Sequence, residues 1–205
     1  MITPRTLPRA DRVAGAVVGS AAGDALGAPF EFGPAGVFSA RFPDGAGLLC
    51  GGAAWEGTAV FHELLRVALT GEDPLTAVPR TLDEVHPDHR PRWATALAPG
   101  WHPALATEFN GAVWPCLATA LWALRTTDTF ASALAAAVDV GGDTDTVAAV
   151  TGGLAGAVYG IDAVPDRWTT LLHVPLPQYG DRVLRTPELL GLAARLDSEA
   201  PQNYT

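Results

Sequence analysis

Two stretches decide the fold: DRVAGAVVGSAAGDALG at 11–27 and VAAVTGGLAGAVYG at 147–160. In the first, Gly15, Gly19 and Gly23 recur every fourth residue. In a helix that spacing stacks them on one face. The second repeats the device with Gly152, Gly156 and Gly160. Each helical glycine costs about 1 kcal/mol relative to alanine. Such a stripe is useful where another backbone must come close. The spacing therefore predicts two buried helices, over 11–26 and 147–160. They pack glycine face to glycine face, or each packs on a different neighbour.

Working outward, the chain reads as Ala/Leu/Val helix interrupted by proline and glycine. Residues 34–54 read as loop, with strand-like alternation confined to 36–42. Val60, Phe61, Leu64, Leu65 and Ala68 place a helix over 58–69, stopped by Gly71. Asp73 before Pro74 is an N-cap followed by the favoured first-turn proline, and Pro79 keeps that helix short or kinked. Residues 86–98 read as a polar helix or turn. Asn110 is placed to cap a helix reaching Arg125, and Asp128 or Thr127 to cap one over 130–138. Pro165 opens a segment to Leu172, and Thr186–Pro187 a last helix to about Leu196. The fold class is all-α, with seven or eight helices in one domain spanning 1–205 and no linker or repeat.

Composition narrows the function. The chain has 205 residues, 48% of them hydrophobic, enough to bury a core. Thirteen basic residues, all Arg, face 22 acidic ones, for a net charge of −9. They form no run, so there is no basic face for nucleic acid or for an anionic membrane. Cys50 and Cys116 make no CxxC pair, which excludes zinc-ribbon and thioredoxin-like sites and suits a reducing compartment. MITPRTLPRADR has no apolar leader, and the apolar runs are too short to cross a bilayer. The expectation is a cytoplasmic protein.

The densest polar cluster is Gly141-Gly142-Asp143-Thr144-Asp145-Thr146, at the entry to the second glycine-striped helix. Two carboxylates two residues apart, with hydroxyls interleaved, can converge on one point. Hard oxygen donors of that kind suit Mg²⁺, Ca²⁺ or Mn²⁺. The plainer reading is an N-cap and a solvated turn. Capping needs only one such residue, however, and the double glycine lets backbone approach a ligand. A second cluster holds Asp24 and Glu31. Asp24 ends a buried helix, where a carboxylate opposes the dipole and wants a partner. If the striped helices pack together, both acids approach Asp143 and Asp145.

Other constellations are weak. His62-Glu63 lacks the second histidine of HExxH, and no GxSxG, GxGxxG or P-loop is present. His86, His89 and His102 read as surface histidines. Trp114 and Trp122 share a helix at i, i+8 and read as core. Trp55, Trp93, Trp101 and Trp168 read as core or rim, with a pocket for an aromatic base as the alternative.

GDALGAPFE at 23–31 together with GGDTDTVAAVTGGLAGAVYG at 141–160 resembles the ADP-ribosylglycohydrolase family, dinitrogenase-reductase-activating glycohydrolases included. AWEGTAVFHELLRVAL and NGAVWPCLATALWAL agree, so the resemblance runs from about Asp11 to about Leu196. It implies a compact, orthogonal all-α bundle with a Mg²⁺ or Mn²⁺ site in a cleft. It also implies hydrolysis of the bond joining ADP-ribose to a protein side chain or small acceptor. By the same resemblance Asp143, Asp145 and Thr146 are metal ligands, and Glu31 is catalytic. Gly141, Gly142 and Thr144 contact substrate, and Asp24 supports from behind. One departure is large: the family's T-D-D-T motif is absent, and Cys50-Gly51-Gly52 passes directly to Ala53-Ala54-Trp55. This resembles a shortened member, joined near 52–54, with one ion rather than two. Three functions follow: a hydrolase of ADP-ribosyl acceptors, an impaired nucleotide-binding or regulatory member, or a hydrolase of a small N-riboside. The apolar surface that a deletion exposes would favour self-association into a homo-oligomer.

Overall fold

In the computed structural model, the described residues are 7–27, 52–176 and 180–199, with 21–27, 52–55 and Glu199 described by backbone alone. Helix α1 (Arg9–Gly27) is followed by α2 (Gly52–Leu69), α3 (Pro74–Asp83) and α4 (Arg90–Ala96). A 3₁₀ turn at Pro103–Leu105 leads into α5 (Val113–Thr126), α6 (Phe130–Asp139) and α7 (Thr144–Tyr159). A second 3₁₀ turn, Ile161–Ala163, precedes the short α8 (Asp166–Thr169) and a hairpin of β1 (His173–Pro175) and β2 (Val183–Arg185). Helix α9 (Thr186–Glu199) ends the described chain. The architecture is the expected helical one. The hairpin is additional: its three-residue antiparallel strands pair His173 with Arg185 and Pro175 with Val183. Strands that short, with β1 exposed throughout, leave no alternation to read. The predicted strand at 36–42 lies outside the described residues.

The glycine stripes meet. A Cβ on Gly15 would fall within 3.0 Å of the Gly156 carbonyl oxygen, and one on Gly156 within 3.0 Å of that of Gly15. Gly19 and Gly152 oppose one another in the same way. Helices α1 and α7 therefore run antiparallel, backbone on backbone, as the most extensively packed pair of elements. Gly160 departs from the stripe. It lies past the end of α7 with φ of 79°, and its N–H closes the helix on the Gly156 carbonyl at 2.8 Å. It caps the helix at positive φ and still lies against α1, its carbonyl carbon 2.8 Å from where a Cβ on Gly15 would stand.

The rest packs around this pair. Val60, Leu64 and Val67 of α2, Leu121 and Leu124 of α5, and Phe130 and Leu134 of α6 are buried with Leu154 of α7 in one core. Buried Arg12 ties three elements together. Its Nη1 donates to the carbonyls of Ala68 at the end of α2, and of Ala157 and Val158 near the end of α7. A guanidinium suits helix C-termini, whose carbonyls lack partners.

Element ends differ from expectation where capping decides them. Helix α6 is capped by Thr129, not Asp128 or Thr127, in a reciprocal box with Ser132. Helix α5 begins after Ala112, so Asn110 is not its cap. Helix α2 starts six residues earlier than the apolar spacing suggests. Asp73 caps α3 as expected, accepting from the Leu75 amide at 2.8 Å, and the helix continues through Pro79. Trp114 and Trp122 are only half-buried, whereas Trp93 is wholly buried, its indole donating to Glu56 at 3.1 Å. Histidines 86, 89 and 102 are exposed, as read from sequence.

Replacing Gly156 by Ala should destabilise the fold by more than about 3 kcal/mol, because the added methyl meets backbone. Gly191→Ala should instead stabilise it by about 0.5–1 kcal/mol. Gly191 lies within α9, and a Cβ there meets nothing within 4 Å. Chemical denaturation measures both; a Gly156→Ala protein as stable as wild type would show that α1 and α7 do not need backbone contact.

Candidate functional site

Between α6 and α7 the chain reverses in four residues. The Gly141 N–H bonds the Val138 carbonyl at 3.0 Å. Gly141 and Gly142 then take φ of 75° and 73° in succession. Residues with a Cβ rarely adopt that conformation, so the double glycine is required by the turn. Asp143 follows as the N-cap of α7.

One side chain outside the turn holds it. Asn110, 9% exposed, donates through Nδ2 to the Gly141 carbonyl at 2.7 Å and accepts at Oδ1 from the Asp143 amide at 2.9 Å. A Cβ on Gly142 would strike that Oδ1, and a Cβ on Gly111 would strike Oδ2 of Asp143. Asn110 and Gly111 therefore form a seat for the turn, supplied by the segment leading into α5. The sequence reading missed this role. Asn-Gly before a proline-opened helix looks like a cap, and only tertiary contact shows that Asn110 binds a segment more than thirty residues away.

The two carboxylates of the turn come together at one amide. The Thr146 N–H donates to Asp145 Oδ1 at 2.7 Å and more weakly to Asp143 Oδ1 at 3.3 Å. The helix N-terminus supports negative charge there. Burial is the largest influence on Asp143 and pushes its carboxyl above the usual range. Hydrogen bonding from Thr146 opposes this, while the adjacent Asp145 carboxylate adds to it. Nearby Cys116, on α5, has its thiol pushed up to about 12 by burial and then by the charge of Asp143, so it is no thiolate nucleophile at neutral pH.

The predicted site residues are placed as follows. Asp143, Asp145 and Thr146 share the first turn of α7, and Thr146 is exposed. Gly141 and Gly142 precede them. Thr144, expected to contact substrate, is fully buried, which keeps its side chain from a ligand arriving through solvent. Asp24 lies in α1 by its backbone, while its side chain and the whole of Glu31 lie outside the described residues. Among the described residues no three His, Cys, Asp or Glu side chains gather as a metal-binding group. Nor is any described helix long and apolar enough to cross a membrane.

Removing the Asn110 amide by Asn110→Ala leaves two backbone groups of the turn unpaired, and should lower stability by about 1–3 kcal/mol in a denaturant titration. The raised Asp143 carboxyl has a pH signature. A raised folded-state value contributes stability below the ordinary carboxylate range, and that contribution is lost as pH rises through the folded value. Metal-free Asp143→Asn should therefore lose less stability than wild type over that interval. Parallel stability–pH curves for the two proteins would show that Asp143 is not desolvated.

The model of the family described as ADP-ribosylglycohydrolase matches residues 5–55 and 51–204. The ADP-ribosylarginine hydrolase Tri1 of Serratia proteamaculans (strain 568) is 34% identical over 93 residues, 45% of this chain and 22% of that protein. The ADP-ribosyl-dinitrogen reductase glycohydrolase of Rhodospirillum rubrum is 50% identical over 48 residues, 23% of this chain and 16% of that one. The aligned stretches thus span about a fifth of these relatives' length. A solved structure described as an ADP-ribosylglycohydrolase-related protein complex matches with a TM-score of 0.67 at 24% identity, over 92% of this chain and 97% of that one. At that identity the likeness concerns the fold. With the family model covering nearly all of its residues, this chain belongs to the ADP-ribosylglycohydrolase family.

Proposed function

We propose that this chain is a metal-dependent hydrolase of the glycosidic bond between ADP-ribose and a protein side chain or small acceptor. The carrying observation is the clamped turn, which brings the carboxylates of Asp143 and Asp145 to one amide with Asp143 half-buried. Two relatives support the substrate class by name, as an ADP-ribosylarginine hydrolase and an ADP-ribosyl-dinitrogen reductase glycohydrolase.

Mg²⁺ or Mn²⁺ fits this donor set. The oxygens are hard, and two adjacent carboxylates repel unless a cation neutralises them. Asp143, Asp145 and the hydroxyl of Thr146 would hold the ion, with water or residues beyond the described ones completing its shell. Bound there, a divalent ion supplies Lewis acidity toward a substrate hydroxyl or water. Gly141, where a Cβ would meet nothing within 4 Å, leaves the approach free of a side chain, while the space beside Gly142 is taken by Asn110. Asn110 keeps Asp143 in register while the ligand enters. Glu31 is proposed as the group that moves a proton at the departing or attacking oxygen, and Asp24 as support. Thr144 holds the turn from within rather than touching substrate.

A second reading, a nucleotide-binding member without turnover, is favoured by one observation. The sequence lacks T-D-D-T, and the family match falls into two stretches that meet at 51–55, as expected where an internal segment is missing. Calorimetric titration of Mg²⁺ and Mn²⁺ with and without ADP-ribose, beside an assay on ADP-ribosylated arginine, separates the two. The hydrolase reading expects metal uptake by wild type and none by Asp143→Ala/Asp145→Ala, with activity falling at least about a hundredfold. Uptake of metal and ADP-ribose without hydrolysis supports the second reading. Absence of metal binding in wild type, with ADP-ribose present, overturns the metal site.

A further inference from the structure

A cavity of about 540 Å³ opens beside the turn but is lined by different residues. Its walls come from the 3₁₀ turn after α4, from Trp122 of α5, and from Ala136, Asp139 and Val140 at the end of α6. It is a groove open to solvent, able to take one face of a small molecule.

The chemistry of the lining is one-sided. Among the described residues of its lining, Asp139 is the only ionisable group besides His102, and it makes no ion pair with any described residue. It is the last residue of α6, where the helix's unpaired carbonyls add negative potential. His102 accepts the Ala104 amide at Nδ1, 3.1 Å away, so the neutral ring carries its proton on Nε2. The ring stands edge-to-face with Trp122, 5.2 Å between centroids and 73° between planes. That contact holds the half-buried indole at the cavity wall. The remaining lining, including Pro103, Ala136 and Val140, is apolar.

Each alternative ligand class meets an obstacle. An anion meets Asp139 and the carbonyl end of α6. A bare divalent metal wants several oxygens, and the lining offers one carboxylate. A neutral apolar molecule would cover Asp139 without compensating its charge. An organic cation meets none of these: its charge faces Asp139, and its body packs on the apolar wall and the indole. We infer that this cavity, formed where Trp122 and the C-terminal end of α6 meet, binds small organic cations that carry a fixed ammonium on an apolar or aromatic body. The inference does not rest on the hydrolase reading, because Asp139 and Trp122 take no part in the metal set.

The test uses three probes sharing one ring: benzyltrimethylammonium, benzyl alcohol and benzenesulfonate. The readout is the indole N–H resonance of Trp122, assigned by its loss in Trp122→Phe. Benzyltrimethylammonium should shift that resonance saturably. Benzyl alcohol should bind at least about tenfold more weakly, and benzenesulfonate should leave the resonance unmoved. Asp139→Asn, an exposed substitution that spares the core, should weaken the cation about tenfold without weakening benzyl alcohol. The inference is overturned if the alcohol or the sulfonate matches the cation. It is equally overturned if Asp139→Asn binds the cation as wild type does, or if no saturable shift appears.

Discussion

Two helices that touch backbone to backbone are the constraint on which the rest of this molecule depends. Side chains can adjust to one another by rotation, but peptide groups cannot. With Gly15 set against Gly156 and Gly19 against Gly152, the axial register of α1 against α7 is determined by carbonyl positions. A shift by one residue would put Ala16 or Ala155 where only hydrogen fits. Arg12 secures the same pair one turn beyond Gly15, on the carbonyls of Ala157 and Val158.

That register reaches the candidate site through α7 itself. The helix runs unbroken from Thr144 to Tyr159, so anchoring its second half against α1 also positions its first turn. The carboxylates of Asp143 and Asp145 project from that turn. Asn110 and Gly111 then fix the approach to the helix from the α5 side, by two hydrogen bonds and a space without a side chain. The turn is thus held by its own left-handed glycines, by the helix it begins, and by a seat from a distant segment. Over-determination of this kind lets a half-buried carboxylate persist beside a second one, since the backbone that carries both is fixed.

Much of this was legible in the residues. The four-residue glycine spacing marked the two helices, and the structure decided in favour of their packing on one another. Asp73-Pro74 capped α3 as read, because an N-cap is a local event that two residues can specify. The prediction failed for the caps of α5 and α6, where Asn110, Thr127, Asp128 and Thr129 all offer suitable side chains and position alone separates them. The half-buried tryptophans were misplaced for a related reason. An i, i+8 pair marks one face of α5, but whether that face is covered depends on neighbours. Arg92 lies 3.4 Å over the Trp114 ring, and His102 covers part of Trp122.

The sequence by itself determined the helical class, the glycine faces, and the cluster of two aspartates behind a double glycine. Each is a property of residues within one turn of one another, where backbone geometry follows directly from side-chain type. Only the tertiary structure decided which glycine opposes which, that Asn110 serves the turn rather than its own helix, and that Thr144 is buried. It also decided that Asp139 and Trp122 border one cavity. Those facts join segments from seventeen to more than a hundred residues apart, and no local rule of spacing or propensity carries information over that distance.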